Sequence, residues 1–281
     1  MSGLETTITD FLKLTFLSMV PFVLASQGTM LGGRTGVFNV AQEGIMLVGA
    51  SVGFLVSYTT GSNLIGALVA MAAGGLFGLV LAYFTTTLKM DQFVVGLALF
   101  FIGTGLSSLL PKLVIGITLT PPLVKTLPEI PIPLLSQIPI IGPVLFKQNI
   151  LVYFSILLSI FLWYILFRTN MGLRLRSVGE NPKASDALGI NVVSNRYITS
   201  IIGGMLIGLA GAYLPMVYTG TFTDLMTKGR GWIAIALTFF GAWSPLPILI
   251  GSLFFAAIEV LSFRFQVGGS FIPYQFLSML P

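Results

Sequence analysis

Few side chains of this sequence could take part in chemistry. Its 281 residues include 9 Asp and Glu and 14 Lys and Arg, but neither His nor Cys. The lack of His and Cys removes the usual metal ligands, thiol nucleophiles and imidazole bases. No nucleophile with a nearby base and no metal-ligand set remains, so the sequence predicts a protein that is not an enzyme and holds no cofactor of its own.

Glu43 is the most informative acid, because it lies in an otherwise apolar stretch just after a glycine-rich break. Asn39 and Gln42 precede it by less than two helical turns. An acid inside a membrane span is costly, so it marks a functional site by default. One interpretation places these three side chains along a path for a polar solute. The other makes Glu43 a helix-start carboxylate at the membrane edge, stabilised by the helix dipole.

The composition indicates an integral membrane protein. Hydrophobic residues make up 55% of the chain and charged residues 8%, against about 25% charged in soluble domains. Several runs reach the roughly 20 apolar residues that cross a bilayer, without the alternation of barrel strands. Since backbone groups in lipid must be paired within their own element, the spans are helices. The predicted fold class is therefore an all-α, polytopic membrane protein.

The apolar runs predict one transmembrane domain, residues 1–281, with about eight or nine membrane helices that include broken or half helices. Seven clear spans lie near 8–30, 40–58, 64–88, 92–110, 149–167, 197–217 and 248–263. The run 231–241 is too short to cross alone, and a break at 243–247 follows it. A partial helix is expected at 271–281. Small residues in the third span predict close helix packing.

Two long connections separate these spans. The segment 111–148 carries too many prolines for one regular helix. The segment 168–196 is rich in Arg and Lys. The positive-inside rule therefore predicts that it is a cytoplasmic loop. Alternation of the spans then places 111–148 and the N-terminus outside. Gly/Arg turns at 33–36 and 229–231 echo each other, which predicts an internal repeat.

The middle of the 168–196 segment carries helix start and stop signals. Asn181 is a good N-cap, Pro182 fits the first helical position, and Gly189 is a stop. Between them lie about two turns of helix with small residues on one side. Such an element is typical of a docking surface, and the alternative is a solvated loop with an incidental helical turn.

Four stretches carry a resemblance to a known family. They read Gly-Val-Phe-Asn at 36–39 followed by Glu43-Gly44, Val-Gly-Leu-Ala-Leu at 95–99, Gly-Glu-Asn-Pro-Lys-Ala-Ser-Asp-Ala-Leu-Gly-Ile at 179–190, and Thr-Lys-Gly-Arg-Gly-Trp-Ile-Ala at 227–234. In order and spacing they resemble permease subunits of bacterial ABC importers of the branched-chain amino acid and simple sugar superfamily, most of all the nucleoside-type branch. Three departures, Gln42, Phe100 and Ala242, fall in expected lining segments, so the cargo can differ from a nucleoside.

The resemblance implies that the segment 179–190 is a coupling helix that fits a groove on a separate ATPase subunit. The implied contact residues are Gly179, Glu180, Asn181, Pro182, Ala184, Asp186, Ala187, Gly189 and Ile190. No Gly-x-x-x-x-Gly-Lys-Ser/Thr phosphate loop occurs in the sequence, so ATP and Mg²⁺ are expected on the partner. The other implied partners are a second permease, as a homo- or heterodimer, and an extracytoplasmic substrate-binding protein. The implied location is the bacterial cytoplasmic (inner) membrane.

The expected solute path takes in the polar patch and nearby aromatic residues: Asn39, Gln42, Glu43, Gln92, Phe100 and Trp232. A nucleoside or a simple sugar is the expected cargo. Glu259 is expected to pair with Arg264 near an interface. The alternative function is an ion-coupled secondary transporter that uses Glu43, although the spans are poor in the carboxylates that such coupling needs.

Overall fold

The computed structural model describes residues 3–116, 121–133, 135–138 and 141–267. Helices dominate this part of the chain. They are α1 (Gly3–Arg34), α2 (Gln42–Thr60), α3 (Asn63–Ala82), α4 (Gln92–Val114), α5 (Ile141–Leu145), α6 (Ile150–Arg168), α7 (Asn170–Glu180), α8 (Pro182–Ala187), α9 (Val192–Tyr213), α10 (Arg230–Phe240) and α11 (Pro245–Val267). Wide π-helical turns, Tyr83–Thr87 and Leu214–Thr219, extend α3 and α9.

Among the described residues, seven helices are long and apolar enough to cross a membrane: α1, α2, α3, α4, α6, α9 and α11. Helix α10 is apolar but shorter. The predicted all-α polytopic fold with seven clear spans and one short apolar helix is therefore confirmed. The partial helix predicted at 271–281 lies outside the described residues.

Helix α9 lies at the centre of the bundle, where glycines let helix backbones approach closely. A Cβ atom on Gly74 of α3 would lie 2.2 Å from the carbonyl oxygen of Gly204. A Cβ atom on Gly28 of α1 would lie 2.5 Å from the carbonyl oxygen of Gly203. A larger side chain at either position would push helices apart, as expected for packing that relies on small residues in lipid.

Several helix ends differ from the sequence-based boundaries. Helix α4 continues through Pro111 to Val114, and α11 begins at Pro245 instead of near 248. A proline is well tolerated in the first turn of a helix, where its missing N–H has no intrahelical acceptor. The break between α10 and α11 is therefore shorter than the sequence suggested.

The proline-rich connection is not one helix, in agreement with the prediction. It contains α5, a 3₁₀ turn (Leu135–Gln137), and two strands, β1 (Glu129–Pro131) and β2 (Lys147–Asn149). The strands pair antiparallel. Lys13 of α1 forms a 2.6 Å ion pair with Glu129, which ties the connection to the first helix.

The 168–196 segment contains two helices, α7 and α8, where the sequence predicted only one. The Thr169 hydroxyl oxygen accepts a hydrogen bond from the Gly172 amide, which caps α7. Leu175 and Val178 are buried and form the inward face of α7. The prediction missed this helix because its many charged residues hid the spacing of the few apolar ones. Helix α9 also starts earlier than predicted, at Val192.

Two breaks interrupt the long helices, and the two Gly/Arg turns lie at them. One break, residues 35–41, joins α1 to α2, and the other, residues 220–229, joins α9 to α10. Helix α1 runs toward the end of the molecule that carries α7 and α8, whereas α9 runs away from it. The breaks are therefore entered from opposite ends, as an inverted internal repeat would produce.

Candidate functional site

The first turn of α10 meets the carboxylate of Glu43. The Oε1 atom accepts hydrogen bonds from the Thr227 hydroxyl at 2.6 Å and the Gly229 amide at 2.8 Å, and Oε2 accepts one from the Gly231 amide at 2.6 Å. Glu43 is only 6% exposed. The first amides of a helix have no intrahelical acceptor, and negative charge is favoured beside them. Glu43 of α2 therefore caps the start of a different helix.

The other polar residues of the expected path hold the break at 35–41 in place. The Asn39 side-chain oxygen accepts from the Ala41 amide at 2.9 Å, and the Gln42 oxygen accepts from the Thr29 hydroxyl at 2.5 Å. Both residues are buried. Gln92 bridges the break from α4, since it accepts from the amide at position 38 at 2.7 Å and donates to the carbonyl at 36 at 3.0 Å. Asn39 and Gln92 thus satisfy backbone groups that no regular helix serves, whereas Gln42 ties the start of α2 to a side chain of α1.

The two aromatic residues of the expected path lie together. The rings of Phe100 on α4 and Trp232 on α10 make an edge-to-face contact, with centroids 5.4 Å apart. Trp232 is 40% exposed. The six expected path residues thus separate into four polar side chains with internal partners and an aromatic pair with an open surface.

A partly buried ion pair lies beside the start of α10. The Nη2 atom of Arg230 donates to Oε1 of Glu259 on α11, and the two side chains are 17% and 25% exposed. The predicted pairing of Glu259 with Arg264 is wrong. Arg264 instead donates to the Thr7 carbonyl oxygen at 2.9 Å and lies over the ring of Phe11. Residues five apart on a helix do not face each other, whereas the break at 220–229 brings Arg230 to Glu259.

The other end of α10 is held by Arg34, the last residue of α1. Its Nε atom donates to the Trp243 carbonyl oxygen at 2.7 Å, and Nη2 donates to the Ala242 carbonyl oxygen at 3.4 Å. Both carbonyls belong to the turn that joins α10 to α11, where no regular helix supplies a donor for them. Trp243 covers Gly33, where a Cβ atom would lie 1.9 Å from the indole ring. Residues on either side of one break therefore hold both ends of α10.

The expected coupling helix has the predicted caps. The side-chain oxygen of Asn181 accepts from the Ala184 amide at 3.1 Å, Pro182 is at the first helical position, and Gly189 has a φ of +80°. The expected contact residues Glu180, Asn181, Ala184, Asp186, Ala187 and Gly189 are exposed, whereas Gly179, Pro182 and Ile190 are partly buried. Leu188 lies in the expected 179–190 segment but was not among the named contact residues; it is 81% exposed and is the most prominent apolar side chain of this surface.

Sequence reasoning also missed Arg34, Thr227 and the Arg230–Glu259 pair. The Gly/Arg echo was the available signal, since it places Arg34 and Arg230 beside the two breaks. No group of three or more acids that could hold a metal occurs in the described ranges.

Comparison with known proteins gives consistent matches along most of the chain. A family model described as the permease component of branched-chain amino acid transport systems matches residues 11–275. The guanosine ABC transporter permease protein NupQ of Bacillus subtilis is 36% identical over 92% of this chain and 82% of its own length. The nucleoside ABC transporter permease protein NupC of Lactococcus lactis is 36% identical over 93% of this chain and 85% of its own.

A third relative comes from an archaeon. TsgC13 of Haloferax volcanii, provisionally named a glucose ABC transporter permease protein, is 34% identical over 91% of this chain and 77% of its own length. No solved structure matches the chain.

Proposed function

This chain belongs to the family of permease components of branched-chain amino acid transport systems, and we propose that it forms the membrane path of an ATP-driven importer for a nucleoside or a simple sugar. As a member of that family it is a multi-pass membrane permease and not an enzyme. ATP and Mg²⁺ are then bound by a separate ATPase subunit, since the sequence has no phosphate loop.

The observation that carries the proposal is the shape of α8. It is a short, capped helix with exposed small residues, and the exposed Leu188 follows it directly. An exposed leucine among small side chains suits insertion into a groove of another protein, because its burial there removes apolar surface from water. We assign this groove to the ATPase, and we add a second permease subunit and an external substrate-binding protein as the remaining partners.

The aromatic pair supports a cargo with a flat or apolar face. Phe100 and Trp232 offer an edge-to-face surface on which a nucleobase or the apolar face of a sugar can stack. Two of the three relatives are named for guanosine and nucleosides, and one for glucose. We place nucleosides first, because a planar base gains most from stacking on exposed aromatic rings.

The contacts of Glu43 argue against the ion-coupled alternative. Its two carboxylate oxygens accept three hydrogen bonds from the start of α10. Proton or ion exchange at this carboxylate would break those bonds in a buried setting, where unpaired donors are costly. The geometry supports a structural acceptor more than a carrier of ions.

A docking test uses Leu188 and a matched control. Leu188→Ser should weaken binding of the ATPase subunit by about tenfold or more, seen as lower copurification, because one fully buried leucine contributes about 1.5–3 kcal/mol. Leu123→Ser is the control, since Leu123 is 71% exposed in the proline-rich connection. Full ATPase recovery with both variants would contradict the proposed docking site.

A second variant changes the backbone of the same surface. Gly189→Ala should weaken ATPase recovery, because its φ of +80° costs an L-residue about 1–2 kcal/mol. Gly61→Ala is the matched control, since Gly61 has a φ of +70° and, like Gly189, nothing within 4 Å of an added Cβ.

The cargo itself is tested by calorimetry of the cognate substrate-binding protein. A ligand set without nucleosides and sugars would overturn the cargo proposal.

A further inference from the structure

Phe167, near the end of α6, lies between the coupling region and the first helix. The guanidinium carbon of Arg176 on α7 lies 5.1 Å from the centre of its ring, and that of Arg34 lies 5.6 Å from the same centre. Both distances fall within the range of cation–π contacts. One aromatic ring therefore connects the last residue of α1 with the helix that leads into α8.

The backbone makes a second contact between the same elements. A Cβ atom on Gly179 would lie 2.2 Å from the carbonyl oxygen of Arg34, so the end of α7 packs directly on the end of α1. Two charges on α7 also act on the Arg34 guanidinium, since Arg176 repels it and Glu180 attracts it. A movement of α8 that displaces α7 must therefore be felt at Arg34.

Arg34 also holds the turn that ends α10, through the carbonyl oxygens of Ala242 and Trp243. The same side chain thus contacts the coupling region on one side and the short apolar helix on the other. Helix α10 carries Trp232 and is fixed at its opposite end by Glu43. A shift of Arg34 can tilt α10 about that fixed end, which changes the angle of the Trp232 ring against Phe100 while its position stays nearly constant.

We propose that Arg34 is a positioning residue that transmits movement of the coupling region to α10, through Phe167 and Arg176 on one side and the carbonyls of Ala242 and Trp243 on the other. The proposal rests on the proposed function, because it takes α8 as the docking site of the ATPase. The role of Arg34 would connect the docking site at α8 with the Phe100–Trp232 pair. Hydrogen bonds to the carbonyls are directional, so the turn at the end of α10 follows Arg34 when the contacts with α7 and Phe167 displace it.

The test measures solute transported per ATP hydrolysed, with the complete transporter in liposomes and guanosine as the solute. Arg34→Ala should keep ATPase recovery and ATP hydrolysis but lower the ratio by about tenfold, within the usual range for coupled sites. Arg34→Lys should keep part of the ratio, because lysine retains the charge but cannot donate to two carbonyls in a fork.

Arg168→Ala is the matched control. Arg168 lies at the same end of the membrane and also makes a cation–π contact, 5.7 Å from the ring centre of Trp163. Its substitution should leave the ratio unchanged. An equal loss with Arg168→Ala would show a general effect of surface charge and overturn the proposal.

A double-mutant cycle tests whether the residues act in series. If Arg34 and Arg176 lie on one route, the double alanine variant should lose no more coupling than Arg34→Ala alone, whereas independent effects multiply. Multiplying effects would overturn the proposal. If the Arg34→Ala transporter does not assemble, Arg34→Lys and Arg176→Ala replace it, and the solute transported per ATP hydrolysed is measured for both. Normal ratios for both variants would overturn the proposed role of Arg34.

The outcome is separable from that of the proposed function. If the unmodified chain shows no ATP-driven uptake and recovers no ATPase, the proposed function fails and Arg34 has nothing to transmit. If the unmodified transporter works and Arg34→Ala keeps a normal ratio, only the role of Arg34 fails.

Discussion

The two ends of α10 are held by opposite charges in different surroundings. At the N-terminal end, the buried Glu43 carboxylate accepts three short hydrogen bonds, and the Arg230–Glu259 pair lies beside it. At the C-terminal end, Arg34 is partly buried, and one of its two hydrogen bonds is 3.4 Å long. The difference indicates that the first end is a fixed anchor and the second an adjustable joint.

Removal of Glu43 tests the anchor with the largest expected effect. Glu43→Ala leaves the hydroxyl of Thr227 and the amides of Gly229 and Gly231 without acceptors. At about 1–3 kcal/mol for each buried group, the loss should be about 3 kcal/mol or more. The melting temperature of the purified permease should fall sharply, and uptake should fall with it.

The control for Glu43 is Glu129→Ala. Glu129 pairs with Lys13 but is substantially exposed, and exposed ion pairs contribute about 0–1 kcal/mol. An equal melting temperature for Glu43→Ala and the unmodified chain would contradict the anchor.

The second test separates the ion pair from the carboxylate cap. Arg230→Ala leaves Glu259 as an unpaired, largely buried charge, and the cost should be about 2–4 kcal/mol. Arg230→Met combined with Glu259→Leu removes both charges and should cost less than Arg230→Ala alone. Thermal unfolding of the single and double variants measures these losses of stability. If the loss in the double variant equalled the sum of the losses in the two single variants, the two residues would not be energetically paired.

Two glycines sharpen the comparison between the ends. A Cβ atom on Gly231 would meet the backbone of Glu43, with its Cα at 2.6 Å, whereas one on Gly33 would meet the ring of Trp243. A side chain can rotate away, but the backbone of a packed helix cannot. We expect a loss of about 2–3 kcal/mol for Gly231→Ala and about 1 kcal/mol for Gly33→Ala. The reverse order in thermal unfolding would show that the C-terminal end is the rigid one.

The sequence predicted the spans because lipid demands long apolar helices with internally paired backbones. It also predicted the caps of α8, since Asn181, Pro182 and Gly189 act on neighbours a few residues away. It could not predict the partners of Glu43, because the hydrogen bond to Gly231 joins residues 188 positions apart. The Arg230–Glu259 pair depends in the same way on how the two breaks meet.

The smallest effect on stability is expected at Trp232, whose exposed ring on α10 makes no hydrogen bond to the rest of the site among the described residues. Trp232→Ala should change the melting temperature little. If the ring stacks on the cargo, the KM for guanosine uptake should rise by about fivefold or more, since one base–aromatic stack contributes about 1–3 kcal/mol. Phe239→Ala is the control, because Phe239 is also exposed on α10 but packs near Phe38 and Trp243.

Trp232→Ala also distinguishes the solute path from the Glu43 anchor of α10. Raised KM with normal stability for Trp232→Ala, together with lost stability for Glu43→Ala, would place cargo contact on the aromatic surface and structure on the carboxylate. If instead the mild variant Glu43→Gln raised the KM for guanosine while the protein remained stable, Glu43 would contact the cargo. Its hydrogen bonds to α10 would then have to open during transport, and the N-terminal end of α10 would be a moving part.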